Sequence, residues 1–125
     1  MNMPKTQAYM YLASPYTDPD IAVMEQRYLA AMKATHWCLT HSIQVFSPIV
    51  HCHEMAIKYI MPRDFDFWRE YDQAMIAPCS GLLILDIEGW TSSKGVTSEI
   101  NLAIRLGKSI SHLIPEKGGT YVINF

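Results

Sequence analysis

Gly81-Leu-Leu-Ile-Leu-Asp86 is the most hydrophobic run in this chain, and it ends at a carboxylate. A short apolar run without alternating polar residues is typical of a strand that is buried on both faces of a parallel sheet. We therefore expect residues 81–85 to form the central strand of an α/β domain, with Asp86 at its carboxyl end.

Strand-like and helix-like segments alternate on both sides of this run. The sequence predicts strands at 8–13, 43–46, 109–114 and possible strand pairing at 120–125, helices at 17–41, 64–77 and 96–106, and a loop or short irregular helix at 49–62. This order is typical of an α/β, doubly wound (flavodoxin- or Rossmann-like) three-layer sandwich with a mostly parallel sheet. With 125 residues, the chain has the length of a single domain with four or five strands.

The longest predicted helix begins at Thr17, an N-cap candidate that is followed by Pro19 in the first turn. Six of its side chains recur at helical spacing, and we expect them to form the stripe that is buried against the sheet. They are Ile21, Met24, Tyr28, Met32, Thr35 and Leu39.

The composition argues against several classes of protein. The formal net charge is -2 and no stripe of Lys and Arg is visible, so binding to a nucleic-acid polymer is not expected. No stretch approaches the ~20 apolar residues of a membrane span, and the polar segment Met1–Lys5 lacks the apolar run of a signal peptide. The three cysteines are odd in number and widely spaced, as free thiols in a reducing compartment would be. We expect a cytoplasmic protein.

The segment from Asp86 to Glu99 is the strongest functional signal. A strand ends in one carboxylate, a loop rich in Ser and Gly follows, and a second carboxylate stands at the start of the next helix. Backbone N–H groups at a helix N-terminus favour an anion such as a phosphate, and Ser92, Ser93 and Gly95 are placed to hold it. The alternative is structural, because an acid in a first helical turn and a serine cap are both common without any ligand.

Three motifs together resemble the nucleoside 2-deoxyribosyltransferase superfamily. Ser93-x-Gly95-Val96-x-x-Glu99, followed by Ala103, looks like its signature, and Tyr11-Leu-Ala-Ser-Pro-Tyr16 is similar to its opening strand. Asp72 matches an aspartate of the superfamily by its place on the helix before the central strand. The motifs look most like those of the 2′-deoxynucleoside 5′-monophosphate N-glycosidases. The stretch Phe46-Ser-Pro-Ile-Val-His51 is similar to an uncharacterised phage and bacterial branch, and the resemblance covers residues 8–114.

The resemblance implies a double displacement on a nucleotide or nucleoside, without a cofactor. Glu99 would attack the anomeric carbon and form a glycosyl ester, as the carboxylate of a retaining glycosidase does. Water would then resolve the ester in a hydrolase, or a second base would resolve it in a deoxyribosyltransferase. Asp72 would protonate the leaving base or orient Glu99, and Tyr11 would hydrogen-bond Glu99. Ser93 would bind a 5′-phosphate, and Asp86 would contact the nucleobase. The residues alone leave alternatives open, since Tyr11 also fits a core position and Asp72 a solvated surface acid.

Three further residues are expected to bind substrate. Ser14 lies in the loop after the first strand, Trp90 is placed either to stack on a base or to cover its loop, and His51 would form a pocket wall. The opening loop lacks the basic residue of the nucleotide N-glycosidases. A positive charge for a phosphate is therefore expected from other residues, namely Lys94, Arg63 or Arg69.

Two other classes of function compete with this enzyme. A non-catalytic nucleotide-binding module needs the serine-rich loop but has no use for the carboxylates. A metal-dependent hydrolase would use His51 and His53, whose H-x-H spacing can chelate one ion, with Glu54 as a further ligand. The resemblance also implies a homodimer or higher homo-oligomer, and we expect the apolar tail 121–125 to pack in the sheet or at a subunit interface.

Overall fold

The computed structural model describes residues 8–125, so the segment Met1–Lys5, where no signal peptide is expected, lies outside the described residues. Over this range the chain forms five strands and four helices. In chain order they are β1 (Met10–Ala13), α1 (Ile21–Thr40), β2 (Val45–Phe46), α2 (Pro48–Lys58), α3 (Phe65–Ile76), β3 (Gly81–Leu85), α4 (Lys94–Arg105), β4 (Ser109–Pro115) and β5 (Tyr121–Asn124).

The strands form one sheet in the order β2-β1-β3-β4-β5. β1 pairs in parallel with both β2 and β3, β3 pairs in parallel with β4, and only β5 is antiparallel. β3 is therefore the middle strand, and all of its residues are buried, as the apolar run predicts. The doubly wound fold with a mostly parallel sheet is confirmed.

Side-chain alternation along β1 and β3 divides the core into two layers. Tyr11 and Ala13 share one face with Leu82 and Ile84, against α3 and α4. Leu12 lies on the opposite face with Leu83, Leu85 and Leu113, where Ala34 and Cys38 of α1 pack on it. Because successive residues of a strand point to opposite faces, this alternation sends Tyr11 toward the helices α3 and α4.

The predicted start and buried stripe of α1 were partly wrong. The N-cap is Asp20, whose Oδ1 accepts a hydrogen bond from the Ala22 N–H at 2.9 Å, so Thr17 precedes the helix. The buried residues are Met24, Tyr28, Ala31, Ala34 and Cys38, whereas Ile21, Met32 and Leu39 are exposed. The small side chains let α1 approach the sheet closely, and the pattern of large residues did not reveal this.

The segment predicted as a loop or irregular helix at 49–62 is mostly a regular helix, α2. Ser47 caps it by accepting a hydrogen bond from the Val50 N–H at 3.2 Å, and Pro48 occupies the first turn. A serine N-cap followed by proline is a helix-start signal, but here it also looked like the end of the preceding strand. This correction places Cys52, His53 and Ala56 on the buried face of a helix.

The remaining segments agree with prediction to within a few residues. α4 begins at Lys94, two residues earlier than expected, and Gly107 follows it with a φ of 69°. The tail pairs with β4 as β5, so it packs in the sheet, while its alternative role at a subunit interface stays a prediction. Among residues 8–125, no helix is both long and apolar enough to cross a membrane. In the same range Cys38, Cys52 and Cys79 are buried and free, as expected.

Substitutions in α1 distinguish the observed face from the predicted one. Ala34→Leu adds volume to a fully buried site, so we expect it to lower the free energy of unfolding by about 1–3 kcal/mol. Leu39→Ala removes an exposed side chain, and its effect should stay within about 0.5 kcal/mol. Urea unfolding followed by circular dichroism measures both. A larger loss in the free energy of unfolding for Leu39→Ala than for Ala34→Leu would instead support the buried stripe that the sequence predicted.

Candidate active site

A cavity of about 440 Å³ opens at the carboxyl ends of β1 and β3. The chain leaves these neighbouring strands toward opposite faces of the sheet, through α1 on one side and α4 on the other. Ligands of doubly wound folds bind at such a reversal of strand order, and the volume lies within the range of small-molecule sites. Residues from α2 and from the start of α3 complete the walls.

Three polar groups from three elements meet at this end of the sheet. Tyr11 of β1 is fully buried and donates its hydroxyl hydrogen to Oε2 of Glu99, the carboxylate on α4. The same hydroxyl faces the carboxyl group of Asp72 on α3. Asp72 and Glu99 retain only 9% and 6% of their exposure, and both line the cavity. Asp72 is thus a buried acid and not a solvated surface acid. Tyr11 occupies a core position, and its hydroxyl hydrogen-bonds to Glu99.

Burial raises the pKa of both carboxyl groups. The pKa of Asp72 rises to about 7 because burial removes its solvation, an effect that the Tyr11 hydroxyl partly opposes. The pKa of Glu99 lies well above its usual range, first through burial and then through the negative charge of Asp72, again opposed by Tyr11. Burial and the two acids also raise the pKa of Tyr11, which therefore keeps its proton. Both carboxyl groups therefore tend to hold a proton near neutral pH, and a negative charge on Asp72 favours the protonated form of Glu99.

The serine-rich loop before α4, which is predicted to hold an anion, lines the cavity. Ser93 is the N-cap of α4, and its Oγ accepts a hydrogen bond from the Val96 N–H at 3.2 Å. Ser92 and Gly95 lie beside it, and a Cβ on Gly95 would lie only 3.2 Å from Cδ1 of Phe65. The start of this helix therefore presents unpaired backbone N–H groups and a hydroxyl hydrogen to the cavity, an arrangement suited to an anion.

Ser14, which follows β1 and is predicted to bind substrate, also lines the cavity. It is 7% exposed, and within residues 8–125 its Oγ is the one buried side-chain polar atom without a hydrogen-bond partner. Leaving a buried hydroxyl unpaired costs about 1–3 kcal/mol, so an unpaired group facing a cavity indicates a site for a polar ligand atom.

The structure does not bring three of the predicted residues to the cavity wall. Asp86 turns toward β4 and contacts Nδ1 of His112 at 2.6 Å. Trp90 packs edge-on against the same His112 ring, with 5.2 Å between the ring centroids. His51 lies on the exposed face of α2 and stacks on Tyr71. Strand ends and residue spacing placed these side chains near the cavity in the sequence, but their directions depend on packing.

Several residues that the site prediction omitted line the cavity, among them Tyr16, Arg27 and His53. Arg27 holds the loop after β1 by donating from Nη1 to the Thr17 carbonyl at 3.0 Å. Gly89 permits this position, since a Cβ there would lie 2.4 Å from Nη2 of Arg27. Recognising Ser47-Pro48 as a helix start would have identified His53 as a buried residue of α2.

The charges around the cavity are mixed. Arg63 and Lys94 line it, two of the three cations that were expected to serve a phosphate, whereas Arg69 does not. Nζ of Lys94 is already paired with Asp66, 3.1 Å away. Asp18, Asp64 and Asp66 also form part of the wall, so the mouth of the cavity is not a strongly positive surface.

The structure does not favour the hypothesis of a metal site at His51 and His53. His51 and His53 are two residues apart on a helix, and such positions point to different sides. Throughout the described range, 8–125, no group of three or more His, Cys, Asp or Glu side chains is placed to hold an ion.

The chain belongs to a family described as Domain of unknown function (DUF1937), whose model matches residues 8–114. No curated protein matches the sequence. The matched range contains Tyr11, Asp72 and Glu99 together with most of the cavity wall. Because this family is defined without an activity, the function has to be argued from the site.

The raised pKa of Asp72 makes a prediction about stability. The folded state binds this proton more tightly than the unfolded state, so the free energy of unfolding falls as the pH rises from about 4 to about 7. Asp72→Asn removes the buried charge, and its stability relative to the wild type should rise by ~2–4 kcal/mol across that window. Chemical denaturation at several pH values measures the difference.

The matched control is Asp66→Asn, which alters an exposed carboxylate on the same helix and should leave the pH dependence of the wild type unchanged. A constant difference between Asp72→Asn and the wild type from pH 4 to pH 8 would contradict a buried, proton-binding Asp72.

Proposed function

We propose that this protein cleaves the N-glycosidic bond of a (deoxy)nucleoside or its 5′-monophosphate through a covalent glycosyl ester on Glu99. The observation that carries the proposal is the buried pair of Tyr11 and Glu99 with Asp72 beside it, the two acids lining a cavity of small-molecule size. A structural ion pair does not explain this cluster, because it contains two acids and no base.

In the first step, an oxygen of Glu99 attacks the anomeric carbon while the bond to the base nitrogen breaks. The electron pair of that bond goes to the base, which takes a proton from Asp72. The transition state resembles an oxocarbenium ion, and its positive charge stabilises the carboxylate form of Glu99 in this poorly solvated place. In the second step, water or a second base attacks the anomeric carbon and releases Glu99.

These roles require Glu99 as the carboxylate and Asp72 with the proton. Because burial and the charge of Asp72 raise the pKa of Glu99, its proton must pass to Asp72 before or during the attack. The hydrogen bond from Tyr11 to Glu99 stabilises a negative charge there and fixes the direction of the carboxylate. Asp72, with a pKa of about 7, can hold a proton at neutral pH and give it up during the reaction. With the proton on Asp72, the two neighbouring carboxyls can act as nucleophile and acid.

The motifs of Ser93 to Glu99 and of the opening strand support placing the chain near the nucleoside 2-deoxyribosyltransferases. The helix N-terminus at Ser93 and the unpaired hydroxyl of Ser14 support a substrate with polar atoms at both positions. A 5′-phosphate at α4 fits the free N–H groups, while the aspartates at the mouth oppose a large negative charge. A nucleoside and its monophosphate are therefore both within the proposal.

Product analysis tests the class of reaction. The protein is incubated with each ribo- and deoxynucleoside and each 5′-monophosphate, with and without a second free base, and the products are separated by chromatography. We expect the wild type to release a free base, and Glu99→Gln to lose at least about 10³-fold in rate because the nucleophile is gone. A new nucleoside in the presence of the second base would identify a transferase.

Glu88→Gln is the matched control, since Glu88 is exposed in the loop before α4 and should be dispensable. Base release by Glu99→Gln at the rate of the wild type would refute the mechanism. Binding of a nucleotide without any release of base would instead support a non-catalytic binding module.

Ser14→Ala tests whether the unpaired hydroxyl serves a ligand. Removing a buried hydroxyl that has no partner should leave the free energy of unfolding unchanged or slightly raise it. If the hydroxyl binds substrate, KM should rise by about 3- to 10-fold with kcat little changed. Ser47→Ala is the contrasting control, because it removes a cap and should cost about 1 kcal/mol of stability. A KM equal to that of the wild type would show that Ser14 contacts no substrate.

A further inference from the structure

A second set of coupled polar groups lines the cavity, apart from Glu99 and Asp72. The hydroxyl of Tyr16 lies 2.6 Å from Nδ1 of His53, and Nε2 of the same ring lies 2.9 Å from Oε2 of Glu25. Tyr16 and His53 both face the cavity, whereas the side chain of Glu25 is 51% exposed at the far end. The three groups form a continuous path for a proton from the cavity to the solvent.

The surroundings of His53 fix its role in this path. The ring is 3% exposed and stacks on Tyr28, with 4.0 Å between the ring centroids. A carboxylate at Nε2 favours the tautomer that carries its hydrogen there, which leaves Nδ1 as an acceptor. The Tyr16 hydroxyl therefore donates to Nδ1, and its oxygen is free to accept a proton from a group in the cavity.

The hydroxyl of Tyr16 has a cationic neighbour as well. Nη1 of Arg63 lies 3.5 Å from its oxygen and donates toward it. Burial raises the pKa of Tyr16 while Arg63 opposes that rise, so the phenol stays protonated and needs His53 to take its proton. A hydroxyl, an imidazole and a carboxylate follow one another here. The same order of groups activates a hydroxyl in other hydrolytic sites.

We propose that Tyr16, held by His53 and Glu25, is the base that activates the water in the second step, which would make the enzyme a hydrolase. The inference rests on the proposed function. The water oxygen bonds to the anomeric carbon, the bond to Glu99 breaks, and its electron pair returns to the carboxylate. One water proton passes to the Tyr16 oxygen, and the Tyr16 proton passes to Nδ1 of His53.

The proton balance closes over the full cycle. The imidazolium formed at His53 is stabilised by Glu25. Once the products leave, its Nδ1 proton returns to Tyr16 and the Tyr16 proton passes to water in the cavity, so the ring again carries its hydrogen on Nε2. Asp72, which gave its proton to the base in the first step, takes one back from water. The sum is one nucleoside and one water converted to a free sugar and a free base.

The experiment separates the two steps in Tyr16→Phe. We expect the first turnover to release one equivalent of base at a rate within about threefold of the wild type, because Glu99 and Asp72 carry that step. Hydrolytic turnover should then fall by about 10²-fold or more, and intact-protein mass spectrometry should show the glycosyl adduct accumulating. An added acceptor base should restore turnover by transfer, since that reaction needs no base for water.

The same measurements are made on a variant of the positioning residue Glu25 and on a control variant of Tyr28. Glu25→Gln, on an exposed part of α1, should give the same pattern more weakly: the ratio of hydrolysis to transfer falls while the first turnover persists. Tyr28→Phe keeps the ring that stacks on His53 and loses only a hydroxyl that contacts Glu54, so it should behave as the wild type.

The outcomes keep this inference apart from the proposed function. Steady hydrolysis by Tyr16→Phe at the rate of the wild type, without an adduct, would overturn the role of Tyr16 and leave Glu99 and Asp72 as a sufficient pair. An equal loss in the first turnover and in hydrolysis would show a role in substrate binding alone and would overturn it too. A wild type that releases no base from any substrate would overturn the proposed function and this inference with it.

Discussion

The parallel pairing of β1 with β3 is the constraint from which the site follows. Their register sets Tyr11 beside Leu82 and Ala13 beside Ile84, so the two strands send the same alternate residues to the same face. Tyr11 then stands between α3 and α4, the helices that carry Asp72 and Glu99. A slip of one residue would turn its ring to the α1 face and leave two buried acids without a hydrogen-bond donor.

The burial of these two acids lowers the stability of the fold but makes them available for a reaction in the cavity. A carboxylate removed from water is unfavourable, and the described neighbourhood of Glu99 offers it the Tyr11 hydroxyl rather than a cation. Apolar residues at these places would stabilise the protein more. Two acids at these places are useful when a positive charge develops in the cavity during a reaction. No neighbouring cation then competes with that charge for the carboxylate of Glu99.

The two faces of the sheet contribute different parts of the cavity. α3 and α4 supply the two acids and the helix N-terminus at Ser93, while α1 supplies Arg27 and Glu25 and α2 supplies His53. The loop after β1 joins these parts, since Ser14 lies near the floor and Tyr16 near the second group of helices. Because the chain leaves β1 and β3 toward opposite faces of the sheet, two separate groups of polar side chains line one cavity.

The sequence by itself determined the architecture. The apolar run of the central strand and the alternation of strand-like with helix-like segments are local patterns, and each element has only to bury its apolar face. The resemblance of its motifs pointed to Tyr11, Asp72 and Glu99, and the strand end and helix start pointed to Ser14 and the loop before α4; all of these except the fully buried Tyr11 line the cavity. The tertiary structure alone decided which side chains reach the cavity. Asp86, Trp90 and His51 turn away because His112 and Tyr71 offer them packing partners. His53 enters because α2 is a helix that rests on α1, and the side on which a helix rests depends on the fit of small residues that a hydrophobic pattern does not record.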